Sequence, residues 1–315
     1  MKNKAISNGI WPVMLTPFKE RDQIDWKGLE ELTEWYIAQG VHGLFSACLS
    51  SEALDMNDAN KLALVRRVVE IADGRVPVVG GVMGVETREK RMEMARQVVA
   101  DGAAAAVLTF CDVASEETSD EAWVEEMDRH LEISGGIPMG VYECPWPYHR
   151  MMTPLLTEYV AQQPQFLFLK ETSGNLSEIE RKCRAGALSG LKIFSADAIT
   201  IADAYKLGVS GFSGLQTNLW AALHVKAFEC RKSKPELTDR LQEFFREYNW
   251  ALSKSYPASA KQYLKTACGL DIGNLSFLNG AAVDESDQEW IDELAKAIRG
   301  FTTEVAETAA DLVAV

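Results

Sequence analysis

Short apolar runs alternate along the chain with longer stretches of helical period, from the first residues to about Leu219. The runs are brief and rich in branched and aromatic side chains, which is typical of buried strands. We place strands at Trp11–Thr16, Gly43–Ala47, Val76–Gly80, Ala105–Phe110, Met139–Tyr142, Phe166–Lys170, Lys192–Ser195 and Gly211–Gly214. Regular alternation of this kind predicts repeated βα units around a parallel sheet.

The stretches between the runs have apolar residues three and four positions apart, as an amphipathic helix requires. Two clear examples are Asp25–Gln39 and Asn57–Asp73. Glycines follow several periodic segments directly, at positions where a residue of positive φ commonly ends a helix. These glycines are Gly40, Gly74, Gly102 and Gly208. The positions of these glycines support an outer ring of helices.

Eight strands alternating with helices favour an α/β fold of the (β/α)₈ TIM barrel type over an open doubly wound sheet. After the eighth run the sequence is helical throughout, which exceeds the single helix needed to complete a barrel. The predicted helices there are Trp220–Ser233, Pro235–Ser255, Ala258–Cys268 and Ser286–Ala310. We therefore expect a barrel carrying the active site over residues 1–225, and a C-terminal helical subdomain packed on it over residues 226–315.

The overall charge of the chain argues against some classes of binding partner. The 315 residues carry a formal net charge of −14 without any strongly basic cluster, and such a surface repels a phosphate backbone. No run approaches the roughly 18 apolar residues of a membrane span, and the first ten residues lack the apolar core of a signal peptide. We expect a cytoplasmic, soluble protein that binds neither nucleic acid nor membrane.

Cysteine and histidine usage gives no sign of a metal or a disulfide framework. The six cysteines are scattered and include no CxxC pair, and the four histidines show no ligand spacing. GxGxxG and GxxxxGK[ST] sequences are also absent, so the common nucleotide-binding signals are missing. We predict reduced thiols, no metal and no cofactor.

In a barrel of this type the chemistry lies at the C-terminal ends of the strands. Lys170 ends the apolar run Phe166–Lys170 and is followed by Glu171. A lysine directed into the barrel loses solvation, so its pKa falls and its free amine can attack a carbonyl to give a Schiff base. The alternative is a lysine that reaches solvent at the barrel mouth or pairs with Glu171.

Tyr142 ends the preceding strand, one βα unit before Lys170. Neighbouring strands lie about 5 Å apart, so the phenol and the amine can meet over one substrate atom. A hydroxyl in that place would move protons to and from a carbinolamine. The alternative is a tyrosine that packs at the barrel rim.

Lys170 and Tyr142 belong to a longer pattern of residues that resembles the pattern of a known family. The matching positions are Pro12, Thr16-Pro17-Phe18, Gly43-Leu44-Phe45, Glu52, Tyr142, Pro145, Leu169-Lys170-Glu171, Gly174-Asn175, Gly211, Asn218, Pro257 and Lys261. Their order is similar to that of the dihydrodipicolinate synthase and N-acetylneuraminate lyase family of class I, Schiff-base-forming aldolases. The resemblance covers roughly residues 8 to 300, which is almost the whole chain.

The resemblance implies a barrel with a C-terminal helical subdomain, a homotetramer, and a lysine that forms an imine with pyruvate or another 2-keto acid. On that basis Lys170 forms the imine and Tyr142 is the proton donor and acceptor. The family's carboxylate-binding loop falls at residues 48–52. There Ser50 keeps a hydroxyl, and the backbone N–H groups of Ser50 and Ser51 can hold a carboxylate. A backbone contact from Ser213 is a weaker transfer.

Three departures from the family pattern argue against dihydrodipicolinate synthesis. Leu49 replaces a threonine that relays protons in the synthases. The tyrosine that completes this relay is missing from the loop Thr109–Asp112. Pro147 replaces the arginine that meets the second substrate's carboxylate.

The loop Glu143–Arg150 is dense in aromatic and ionisable residues. Arg150 or His149 is a candidate to reach the distal part of a substrate, with Trp146 or Tyr148 as an apolar wall. Aromatic residues and arginine are also common in subunit interfaces, so the loop is equally a candidate for contacts between subunits.

We therefore predict a lyase, either an aldolase or a dehydratase, that acts through Lys170 on a 2-keto acid such as pyruvate or a 2-keto-3-deoxy sugar acid. The first alternative is dihydrodipicolinate synthase, which condenses pyruvate with aspartate semialdehyde. The second is a non-catalytic protein that binds a 2-keto acid, since Leu49 and Asp112 replace the relay pair.

Overall fold

A computed structural model describes residues 5–277 and 283–311 of the chain; the predictions that include residues 1–4, 278–282 and 312–315 fall partly outside this range. Ten strands lie in the described part. They are β1 (Gly9–Ile10), β2 (Phe18–Glu20), β3 (Gln23–Ile24), β4 (Leu44–Ser46), β5 (Val78–Gly81), β6 (Ala105–Thr109), β7 (Met139–Tyr142), β8 (Phe166–Glu171), β9 (Lys192–Ser195) and β10 (Gly211–Phe212).

Eight of these strands form one parallel sheet in the order β1-β10-β9-β8-β7-β6-β5-β4, and β2 and β3 form a separate hairpin. The sheet curls until its two edges meet. Val13, just after β1, forms a parallel bridge with Phe45 of β4, and the Phe45 N–H donates to Pro12 O at 2.9 Å. The fold is thus a (β/α)₈ barrel with a C-terminal helical extension, as the alternation predicted.

The helices surround the sheet and continue beyond it. They are α1 (Trp26–Ala38), α2 (Asp58–Ala72), α3 (Arg88–Ala100), α4 (Phe110–Val113), α5 (Asp120–Glu132), α6 (Pro154–Gln162), α7 (Leu176–Ala187), α8 (Ile201–Lys206), α9 (Thr217–Cys230), α10 (Pro235–Glu247), α11 (Ala258–Thr266) and α12 (Glu285–Asp311). Short 3₁₀ turns lie at Leu49–Ser51, Ala53–Asp55 and Asn249–Ser253. No helix in the described ranges is long and apolar enough to cross a membrane.

Helix ends follow the polar residues that the sequence offers. The Asp25 side chain accepts the Gly28 N–H at the start of α1, and the Asn57 side chain accepts the Asn60 N–H at the start of α2. Gly40 lies just beyond α1 with a φ of +79°, a conformation that costs glycine little.

The first strand differs from its predicted position, Trp11–Thr16. The regular part of β1 lies earlier, at Gly9–Ile10, and the chain then runs past β4 through isolated contacts. Pro12 has no N–H to donate, so the ladder cannot continue through it. Apolar pattern alone does not reveal this interruption.

Aromatic side chains fill the barrel interior below its C-terminal end. Phe168 of β8 lies 5.5 Å from the ring of Trp11, 5.7 Å from Phe45 and 4.6 Å from Phe194, measured between ring centroids. All four are buried. This aromatic layer closes the barrel and forms a floor for whatever lies above it.

Candidate active site

Lys170 lies inside the barrel, two residues beyond Phe168 of the aromatic layer along β8. Side chains alternate along a strand, so Lys170 faces the same side of β8 as Phe168. Its Nζ is 4.2 Å from the ring centroid of Tyr142 and 6.0 Å from that of Phe45, which comes from the far side of the barrel. The residue is only 3% exposed. The amine therefore sits near the barrel axis among aromatic faces.

Lys170 makes no ion pair with any described residue. Its neighbour Glu171 points to the opposite face of β8 and pairs with Lys182, at 2.9 Å. Burial lowers the pKa of Lys170, although the nearby Cys48 and Cys144 thiols oppose this effect. The alternative in which Lys170 pairs with Glu171 is therefore not found in the structure. The lowered pKa shifts the Lys170 amine toward its neutral form, which is the nucleophilic one.

Tyr142 is the direct neighbour of Lys170 in the sheet, since the two residues are register partners across β7 and β8. The phenol is buried, and burial together with the nearby Cys144 and Cys48 thiols raises its pKa well above the usual range. A phenol with a raised pKa keeps its proton and can donate it to a substrate oxygen or nitrogen. The predicted pair is thus brought together.

The turn after β4 lies across the mouth of the barrel. Ser51 is used to hold this turn, because its Oγ donates to Met14 O at 2.6 Å and accepts the Cys48 N–H at 3.1 Å. The Ser51 N–H donates to Cys48 O. Ser50 instead presents its hydroxyl to Tyr256, whose OH donates to it at 2.9 Å. Of the two serines, Ser50 has the side chain that faces the mouth.

Tyr256 comes from the C-terminal extension and was not among the predicted site residues. Its hydroxyl accepts the Asn218 Nδ2 at 2.7 Å, and Asn218 in turn accepts the Tyr36 hydroxyl at 2.5 Å. A chain of buried and partly buried hydrogen bonds therefore runs from α1 to Ser50. The signal was available, since Tyr256 directly precedes the Pro257 that belongs to the family pattern.

The same extension fixes the end of the Ser50 turn. Glu52 and Lys261 form a fully buried ion pair, and the carboxylate of Glu52 also accepts the Ser276 hydroxyl at 2.7 Å and the Phe277 N–H. A buried pair of this kind needs several such bonds to offset the loss of hydration. Residues far apart in sequence thus hold the turn against the barrel.

Ser213 lies just after β10 and is fully buried. Its N–H donates to Ser195 O and its hydroxyl donates to Trp11 O, both at 2.8 Å. Both donors of Ser213 are thus used within the barrel.

Two of the residues at positions that depart from the family pattern, Leu49 and Asp112, have different surroundings. Leu49 lines the cavity at the mouth. Asp112 accepts the Thr109 hydroxyl at 2.6 Å and the Gly84 N–H at 2.8 Å, so it joins two neighbouring loops. No described residue within the cavity lining is a lysine or an arginine.

The loop Glu143–Arg150 divides between the cavity and the neighbouring loops. Arg150 pairs with Asp120 at 2.8 Å, and His149 Nε2 lies 2.8 Å from Thr172 Oγ1. Tyr148 donates to Ala114 O. Trp146 lines the cavity and is 62% exposed. Of the candidates for substrate contact, Trp146 is thus the one at the mouth.

Groups of three or more histidine, cysteine or carboxylate side chains with the geometry of a metal site are absent from the described residues.

Cys111 and Cys144 lie together beside Tyr142, and the thiol hydrogen bond between them lowers the pKa of Cys144 and raises the pKa of Cys111. The site's polar groups are therefore an amine, two phenols, a hydroxyl and thiols.

Comparison with protein-family models gives a match to the dihydrodipicolinate synthetase family over residues 6–297. Among curated proteins, the chain is 26% identical over 255 residues to the 4-hydroxy-tetrahydrodipicolinate synthase of Legionella pneumophila, which covers 76% of this chain and 86% of the relative. The corresponding protein of Saccharophagus degradans is 23% identical over 292 residues, covering 85% and 99%.

Solved structures share the fold at lower sequence identity. A dihydrodipicolinate synthase from Bacteroides thetaiotaomicron has a TM-score of 0.82 at 19% identity, covering 93% of this chain and 99% of its own. A prophage protein of the dihydrodipicolinic acid synthase family from E. coli K12, solved in complex with pyruvate, has a TM-score of 0.81 at 18% identity, covering 94% and 99%.

Proposed function

The chain belongs to the dihydrodipicolinate synthetase family, whose members are class I aldolases and lyases, and from that premise we propose that it acts on a 2-keto acid through an imine at Lys170. The neutral amine attacks the keto carbon to give a carbinolamine, and loss of water gives the imine. The protonated imine withdraws electrons from the adjacent carbon. This allows a carbon–carbon bond to form or break there, or water to be eliminated.

The neighbouring residues have roles that follow from their positions. Tyr142 donates a proton to the departing hydroxyl of the carbinolamine and accepts one when the imine is hydrolysed. Ser50, through its hydroxyl and its backbone N–H, receives the substrate carboxylate, whereas the Ser51 N–H and hydroxyl are used to hold the turn. Ser213 has its N–H and hydroxyl engaged, so its backbone contact with the substrate is made by the carbonyl oxygen.

One observation carries this proposal. Lys170 is buried beside the Tyr142 ring without a partner carboxylate among the described residues, whereas the carboxylate next to it in sequence is turned away to Lys182. A buried amine without a counter-charge is costly to keep protonated. Such an arrangement gives little stability and is well suited to imine formation.

Borohydride trapping tests the proposal. The protein is mixed with pyruvate, reduced, digested and analysed by mass spectrometry, beside the Lys170→Ala variant. We expect one stable adduct on Lys170 and none in the variant. Because the chain has many other lysines, an adduct spread over surface lysines, or no adduct with pyruvate or longer 2-keto acids, would overturn the proposal.

Similarity to 4-hydroxy-tetrahydrodipicolinate synthases makes that activity a second candidate. Leu49, Asp112 and Pro147 in place of the residues expected for that reaction weigh against it. A coupled assay with pyruvate and aspartate semialdehyde decides between the candidates. Turnover in that assay would establish the synthase, while an adduct without turnover in any pairing would favour a binding protein.

We also propose that the protein assembles as a homotetramer, as the family resemblance implies. Size-exclusion chromatography with light scattering measures the mass directly. A monomer at micromolar concentration would contradict this part of the proposal.

A further inference from the structure

A cavity of about 550 Å³ opens at the C-terminal mouth of the barrel. Its lining includes the turn after β4, the loop after β7, the loop after β10 and the C-terminal extension. The lining does not include Lys170 itself. Leu49 and Pro145 of the lining directly follow Cys48 and Cys144, the two thiols that lie near the Lys170 amine. The cavity therefore opens at the mouth beside the amine.

Most of the cavity wall is apolar. The apolar residues are Leu49, Leu54, Pro145, Trp146, Leu215 and Pro257. They surround the space that the part of the substrate beyond the 2-keto acid would occupy. A volume of this size holds a small organic molecule, and apolar walls with few polar groups are what such a molecule needs.

Apart from Ser50, which receives the carboxylate of the 2-keto acid, the polar groups of the lining offer little to charges or hydroxyl groups on the second substrate. The hydroxyls of Ser50 and Tyr256 are hydrogen-bonded to each other. Asp55 stands exposed at the rim, where a carboxylate repels anions. The nearby Arg150 and His149 side chains are engaged elsewhere, Arg150 with Asp120 and His149 with Thr172. A distal carboxylate would thus meet no cation, and a chain of hydroxyl groups would leave most of its hydrogen bonds unmade.

We propose, on the basis of the function proposed above, that the carbonyl partner of the 2-keto acid is an apolar aldehyde, aromatic or branched aliphatic. Its apolar group lies against the leucines and the indole of Trp146, where burial of apolar surface stabilises the complex. Of the substrate classes that the sequence left open, this disfavours 2-keto-3-deoxy sugar acids and aspartate semialdehyde.

The step is balanced without an added oxidant or cofactor. The enamine carbon next to the imine attacks the aldehyde carbon, a carbon–carbon bond forms, and the aldehyde oxygen takes up a proton. Water then hydrolyses the imine, which frees the Lys170 amine and a 4-hydroxy-2-keto acid. Cleavage runs through the same steps in reverse.

The test compares aldehydes at saturating pyruvate. Benzaldehyde and 3-methylbutanal are set against glyceraldehyde and aspartate semialdehyde, and the condensation products are quantified by mass spectrometry. We expect kcat/KM at least about 10-fold higher for the apolar pair, as one well-filled apolar pocket typically gives. A preference for either polar aldehyde would overturn the inference, even while a Lys170 adduct upholds the proposed function.

Two matched variants test whether the preference for apolar aldehydes arises from the cavity wall. Leu215→Asn places an amide of similar size in the wall, and we expect it to lower kcat/KM for benzaldehyde about 10-fold and for glyceraldehyde much less. Leu188→Asn makes the same change at an exposed leucine, 92% accessible, just after α7, where the chain returns to the opposite end of the barrel. We expect no change there. Equal losses for both aldehydes in Leu215→Asn would contradict the inference.

Borohydride trapping is carried out on the same preparations. An adduct on Lys170 in wild type, together with the expected aldehyde preference, supports both proposals. Absence of an adduct with every 2-keto acid overturns the proposed function, and the inference that rests on it falls too. The two failures are therefore distinguishable.

Discussion

Two buried lysines, Lys170 and Lys182, lie twelve residues apart in sequence on opposite faces of the same βα unit. Lys182 is fully buried, yet it bonds to Glu143 at 2.6 Å and to Glu171 at 2.9 Å. Lys170 has aromatic rings around it and no ion pair in the described part of the chain. Lys182 thus has two carboxylate partners, whereas the surroundings of Lys170 offer none and lower its pKa.

The largest effect expected is the loss of activity in Lys170→Met. Removal of the nucleophile eliminates the covalent route, so activity should fall at least about 10³-fold. The fold should survive, because methionine fills a similar volume without an amine to desolvate. Steady-state kinetics and circular dichroism measure the two quantities. Activity within 10-fold of wild type would show that the amine is not the nucleophile.

Lys182→Met should instead lower the stability of the fold. It leaves two buried carboxylates without their cation, which costs about 3–5 kcal/mol of the free energy of unfolding. Urea titration measures the loss. Its matched control adds Glu143→Gln and Glu171→Gln, which should restore part of the stability. If Lys182→Met is as stable as wild type, the contrast between the two lysines does not hold.

Tyr256→Phe tests whether the phenol from the extension supports the Ser50 turn. The change removes the donor to Ser50 and leaves Asn218 without one acceptor, a loss of about 1–2 kcal/mol. KM for pyruvate should rise about 10-fold, with trapping at Lys170 slower but still present. Tyr159→Phe, whose hydroxyl bonds to Asp128 on the outer surface, is the control. Equal kinetics in both variants would remove Tyr256 from the site.

The pH dependence of stability distinguishes Lys170 further. Its pKa is lowered by burial in the folded state, while the unfolded chain retains an ordinary lysine pKa of about 10.4. Below that value the unfolded state binds more protons, so wild type loses stability as pH falls. The stability gain of Lys170→Met should therefore shrink as pH rises toward about 10. A constant difference, measured by urea titration across this range, would contradict a lowered pKa for Lys170.

The smallest effect expected concerns His224, another buried base outside the site. Its ring stacks between Phe212 and Phe245, and neither ring nitrogen has a hydrogen-bond partner among the described residues. Burial holds its pKa well below the usual range, so wild type should lose stability as pH falls below about 6.5. His224→Leu should remove that loss and add about 1 kcal/mol at pH 7. Unchanged melting curves at pH 5 would contradict this.

The sequence predicted the barrel and the Lys170–Tyr142 pair for a physical reason. Strands of a parallel sheet end at one edge, so polar residues at the ends of consecutive strands become neighbours whatever the loops do. The directions of Arg150 and His149 were not predictable, because both depend on hydrogen-bond partners in other loops. Tyr256 depends on how the extension crosses the mouth, which helical periodicity does not encode.

The clamp of Glu52 by Lys261, Ser276 and Phe277 has a consequence for biosynthesis. When β10 leaves the ribosome, Lys170 and Tyr142 have already been made, but the residues that fix the Ser50 turn have not. At that stage the Ser50 turn lacks the partners that hold it. Translation of α11 and of the segment through Phe277 is therefore required before this turn is fixed as it is in the complete chain.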